Sequence, residues 1–114
     1  MLATRRWITF GFCALSAAAI AVSAATAVAG AAQTTDVQVI KDGYVPGTLT
    51  VRAGTEIRFR NTDTDIHTAT SKTGAFDSNL LFPGDSYAVT LNAPGTYEYF
   101  CLPHPWLNGT IVVE

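Results

Sequence analysis

The sequence predicts an all-β fold, an antiparallel Greek-key β-sandwich of about seven to eight strands. Three observations carry that prediction. From Asp36 onward, apolar and polar residues alternate over short stretches, and Gly, Pro, Asn and Asp clusters separate those stretches. No helical period of any length appears outside the opening segment.

The opening segment stands apart from the sandwich. Arg5 and Arg6 precede "WITFGFCALSAAAIAVSAATAVAGAAQ", which is rich in alanine and free of charge until Asp36. A basic start, an apolar middle and small residues at Ala27-Val28-Ala29 or Ala29-Gly30-Ala31 have the layout of a secretory signal. The reading is therefore a signal peptide over residues 1–31 and one exported domain over residues 32–114, in the periplasm or another extracytoplasmic space. The stretch is long enough to span a bilayer, so a retained anchor is the alternative, disfavoured by its small residues. "TRRWI" partly matches a twin-arginine signal, with Thr9 where a second apolar residue is expected.

The strands follow in order. "DVQVI" alternates at Val37 and Val39, and "TLTV" at Leu49 and Val51 after the Pro46-Gly47 break. "TEIRFRN" sets Ile57 and Phe59 on one face and Glu56, Arg58 and Arg60 on the other, the period of a half-buried strand. A polar loop runs from Asn61 to Asp65, and "DIHTATS" is a short extended piece before an irregular stretch containing Gly74, Phe76 and Pro83-Gly84. "SYAVTL", "TYEYFC" and "GTIVVE" close the domain, with a Pro94-Gly95 turn between the first two.

Charge and cysteine usage exclude several functions. Without Arg5 and Arg6 the domain carries five basic and nine acidic residues, a net charge of −4. Nucleic acid and anionic membranes are therefore not its partners. Cys13 lies in the signal, which leaves Cys101 alone. Small exported domains use cysteines in pairs as staples, so a single one points to an inert buried thiol, intermolecular pairing or a metal-held thiolate.

Cys101 falls at the end of the penultimate strand, and His104 sits in the loop "LPHP", where Pro103 and Pro105 restrict the backbone on both sides. His67, the other histidine, follows the polar loop after "TEIRFRN". A sandwich gathers loops from different strands at one end, so two imidazoles and one thiolate can meet there. Two His and one Cys in a trigonal set are the donors of a blue-copper electron-transfer site. Two alternatives stay open. Cys101 can be a core residue beside two metal-free histidines, or the three can hold zinc with an open position, for which Asp65 is the only local carboxylate by sequence.

The segment "PGTYEYFCLPHPWLNGTIVVE" resembles the C-terminal copper loop of cupredoxins, its Cys-x-x-His-Pro spacing being most similar to the amicyanin and plastocyanin-like members. "VRAGTEIRFRNTDTDIHT" resembles the family's first-histidine region, and with "FDSNLLFPGDSYAVTL" the likeness covers essentially the whole exported domain. The resemblance implies one copper per chain, cycling between Cu(I) and Cu(II), with His67, Cys101 and His104 as its equatorial ligands. It also implies a monomeric, non-enzymatic electron carrier that docks transiently with cytochrome-type or dehydrogenase-type redox proteins. Copper delivery, storage or sensing is the alternative, and the lack of exposed thioethers counts against it.

Two departures from the family pattern matter. Leu107 stands where a weakly bonding axial methionine is usual, and the chain's only methionine is Met1. Thr68 follows the first histidine, where relatives often have an asparagine that bridges the two ligand loops. By resemblance the His104 ring edge reaches the surface among Leu102, Pro103, Pro105 and Trp106, joined by Leu81 and Phe82, while core packing is an equal prospect for Trp106. A Tyr-x-Cys corner also occurs in immunoglobulin-like adhesion domains. Those need an earlier partner cysteine and a buried tryptophan, and the exported domain has neither before Cys101.

Overall fold

The computed structural model describes residues 33–114, so the stretch expected to be a signal peptide, with its expected cleavage site, lies outside the described residues. Eight strands follow one another: β1 Thr34–Ile40, β2 Gly43–Val45, β3 Thr48–Val51, β4 Thr55–Asn61, β5 Thr70–Ser71, β6 Ser86–Leu91, β7 Gly95–Phe100 and β8 Asn108–Val113. They form two four-stranded sheets, ordered β2-β1-β4-β6 and β3-β8-β7-β5. The described residues contain no helix.

Each sheet is mixed, with one parallel pair among antiparallel ones: β1 with β4, and β3 with β8. The cause is connectivity. After the β1–β2 hairpin the chain crosses to the second sheet as β3 and returns as β4 along the free edge of β1. A strand that leaves a sheet and comes back this way runs in its starting direction. β2 is the strand that alternation did not signal, because three residues ending at a proline are too few to show a period.

The inward positions match the alternation. Val37, Val39, Ile57, Phe59 and Ile111 are fully buried between the sheets, whereas Arg58 and Arg60 face solvent. Burying side chains of this size stabilises the fold by about 1.5–3 kcal/mol each. Tyr99 is the largest buried residue, edge-on to Tyr44 at 4.6 Å and to Phe59 at 5.3 Å between ring centroids. Its ring crosses the paired backbone of β8, and a Cβ on Gly109 would lie 2.3 Å from it. Only glycine fits opposite Tyr99 there, and the close fit fixes the end of β7 that leads into Cys101.

Candidate metal centre

Cys101 follows β7 directly and is fully buried. The loop after it closes on itself: the Cys101 amide donates to the Leu107 carbonyl at 3.2 Å, and the Leu107 amide to the His104 carbonyl at 2.9 Å. His104 is half-buried within that loop, and Leu107 is buried beneath it. His67 arrives from the other side. Its amide donates to the Leu81 carbonyl at 3.1 Å and its carbonyl accepts from Leu81 at 2.8 Å.

These elements bring together the three side chains singled out in the sequence. The ligand atoms of His67, Cys101 and His104 all lie within 4.8 Å of one another. Cys101 Sγ stands 3.5 Å from Nδ1 of each histidine. Nitrogen and thiolate donors sit about 2.0–2.3 Å from a first-row ion, which places trigonal neighbours about 3.5–3.8 Å apart. The two sulfur–nitrogen spacings are close to those values, so the chemistry and placing of the donor set fit a metal ion.

Asp63, which sequence reasoning passed over for Asp65, decides the tautomer of His67. His67 Nε2 lies 2.8 Å from Asp63 Oδ2. An ionised carboxylate only accepts, so Nε2–H donates to it and the Nδ1 lone pair is left facing Cys101. The hydrogen bond from His67, helped by the Thr64 amide, holds the Asp63 carboxyl below the usual range. Asn61 organises this loop: its Nδ2 donates to the Asp65 and Leu81 carbonyls, both at 2.8 Å, and its Oδ1 accepts from the Asp63 amide at 2.9 Å. A buried asparagine at a strand end, before two aspartates in a polar loop, was the signal available in the sequence.

Thr68 is fully buried, and its hydroxyl oxygen accepts from the Leu102 amide at 2.9 Å, so it ties the His67 segment to the Cys101 loop. The Tyr44 hydroxyl donates to the Thr68 carbonyl. Burial, with a smaller effect of the nearby Cys101, pushes the Tyr44 hydroxyl well above its ordinary ionisation range.

The surface beside His104 is apolar. Trp106 is 71 % exposed and edge-on to the His104 ring at 5.5 Å, which rules out core packing. Leu102 is exposed too. Of the pair expected beside them, Phe82 is exposed but Leu81 is buried, because its bridge to His67 turns it inward and leaves Leu80 and Phe82 facing out.

The model of the cupredoxin-like domain family matches residues 12–113. Amicyanin-alpha of Methylorubrum extorquens is 35 % identical over 103 residues, covering 85 % of this chain and 87 % of that protein. A novel purple cupredoxin from Nitrosopumilus maritimus superposes with a TM-score of 0.66 at 26 % identity, over 70 % of this chain and 99 % of that one. An oxidised methionine-to-leucine variant of amicyanin gives 0.66 at 28 % identity, over 70 % and 81 % of the two chains. With the His67, Cys101 and His104 donors grouped at one end of its sandwich, this chain belongs to the cupredoxin family of small copper electron-transfer proteins.

Proposed function

We propose that the protein carries single electrons outside the cytoplasm through one copper ion held by His67, Cys101 and His104, with Leu107 in the axial position as a non-bonding cap. The observation that carries this is the convergence of one thiol and two imidazole nitrogens within 4.8 Å, on a buried floor. Bound there, copper supplies a one-electron couple, and soft thiolate with imidazole suits both of its oxidation states.

The chain's own residues do the rest. Asp63 and the Leu81 bridge fix His67, while the amide bonds within residues 101–107 fix Cys101 and His104, so the donor set does not rearrange when the charge changes. Leu107 keeps water off the buried side. The described residues contain no methionine, and this apolar cap favours Cu(I) over Cu(II).

His104 is the exit. Leu102 and Trp106 beside it, with Leu80 and Phe82, form an apolar surface suited to brief docking. The rim around it is acidic: Asp63 and Asp65 lie in the His67 loop, and Asp85 accepts from the Phe82 amide at 3.0 Å. From Thr73 to Glu114 there is no lysine or arginine. The partner that fits is a redox protein with an apolar contact ringed by basic residues. Residues 1–31 act as a cleaved export signal, and the carrier works as a monomer in the periplasm or an equivalent space.

The test is the visible absorption of the metal-free protein titrated with Cu(II). An intense band saturating at one copper per chain and abolished by Cys101→Ser is expected. Absence of the band with Cys101 still titrating as a free thiol overturns the reading.

A further inference from the structure

Thr68 Oγ1 stands 2.9 Å from the Leu102 amide nitrogen and 2.9 Å from Thr70 Oγ1. Thr70 Oγ1 lies 3.1 Å from Asp77 Oδ1. The two ends of this chain fix its direction. The Leu102 amide can only donate, and the Asp77 carboxylate can only accept. Each hydroxyl has one proton, so Thr70 donates to Asp77, Thr68 donates to Thr70, and Thr68 Oγ1 receives the amide of the residue that follows Cys101.

The backbone holds each member in place. Thr70 pairs with Phe100 in the β5–β7 ladder and bridges to Asp77 on its other side. Asp77 Oδ1 also accepts from the Asn79 amide at 2.9 Å. The Ala69 amide donates to Ser78 Oγ at 2.8 Å, and the Ser78 amide to the Ala69 carbonyl at 3.1 Å. Three aligned hydrogen bonds ending on a charge polarise one another, which strengthens the acceptor at Thr68. Asp77 is exposed, whereas Thr68 is fully buried.

We propose that Thr70 and Asp77 are positioning residues for Cys101, acting through Thr68 to lock the Cys101–Leu102 peptide and so the direction of the thiolate. A bridging side chain at position 68 would tie the two loops by itself. A threonine has a single hydroxyl to offer, and here its proton is committed outward to a surface carboxylate. The orientation of a buried sulfur is thereby set from a residue that touches neither the sulfur nor either histidine. The proposal uses the copper reading only for its second readout.

The test compares Thr70→Val, Thr70→Ser, Asp77→Ala and Asp77→Asn in the full chain by two measurements. In the metal-free protein, the Leu102 amide is followed by proton chemical shift and hydrogen exchange, with the Ile111 amide as a control for folding. Thr70→Val and Asp77→Ala should move the Leu102 resonance upfield and speed its exchange about tenfold, as loss of one ordinary hydrogen bond does. Thr70→Ser should restore both. Asp77→Asn, which keeps an acceptor without the charge, should fall between. In the Cu(II) form the visible band should shift in Thr70→Val and return in Thr70→Ser. An unmoved Leu102 amide in both Thr70→Val and Asp77→Ala overturns the proposal, as does an equal effect of Thr70→Ser. A responsive Leu102 amide in a protein that binds no copper overturns the copper reading and leaves the positioning intact.

Discussion

His67 and His104 offer the same nitrogen to the same sulfur at the same 3.5 Å, yet their surroundings are opposite. His67 is 1 % exposed, bonded through Nε2 to Asp63 and stitched by its backbone to Leu81. His104 is half-buried in a loop between two prolines, and a largely exposed indole is its ring neighbour. The difference teaches a division of labour. One histidine insulates and anchors the site, and the other presents it.

Replacing each histidine by glycine breaks that comparison most directly. At His104 the lost ring opens toward solvent, so added imidazole should enter and restore the visible band of the Cu(II) protein. At His67 the cavity is sealed, and its wall includes a carboxylate deprived of its only donor side chain, so the same imidazole should fail and the fold should weaken. Absorption titrations with imidazole, beside denaturant unfolding, read both effects. Equal rescue at the two positions would show that burial does not separate them.

A smaller effect tests presentation alone. Trp106→Ala removes an exposed aromatic without touching a donor atom, so spectrum and stability should hold. Electron exchange with a basic redox partner should slow by about tenfold, the cost of one contact residue at an interface centre. The rate should also fall as ionic strength rises, since the rim is acidic and the screening length is about 10 Å at 0.1 M salt. A Trp106→Ala rate equal to the unmodified one would move the exit away from His104.

Much of this was legible in the sequence, and the boundary of legibility has a physical cause. The period of two in "TEIRFRN" and the donor types His67, Cys101 and His104 are local patterns, and the structure brings all three donors together. The parallel pairs β1–β4 and β3–β8 were not legible, because alternation reports which face is buried and not which strand lies alongside. The same limit hid Asp63. Two aspartates flank Thr64, and only the turn that Asn61 pins decides which carboxylate meets His67. Leu81, expected at the surface beside His104, is buried for a similar reason, since a bridge to His67 sets the inward side of that extended stretch.

The finest test concerns Leu107, the residue proposed for the axial position. Leu107 is buried and offers no lone pair. Leu107→Met would place a thioether of similar volume there, a swap that well-packed interiors tolerate. The thioether is a weak donor, and a weak donor adds more to the binding of Cu(II) than of Cu(I). The potential follows the ratio of those two affinities, about 59 mV for each tenfold change in a one-electron couple. The methionine variant should therefore show a lower reduction potential by tens of millivolts, of order one tenfold step, with the imidazole contrast between positions 67 and 104 unchanged. Voltammetry on the paired proteins measures it. An unchanged or higher potential would mean that the position of Leu107 is not axial, and that the fourth side of the site is closed by some other group of the His67 segment.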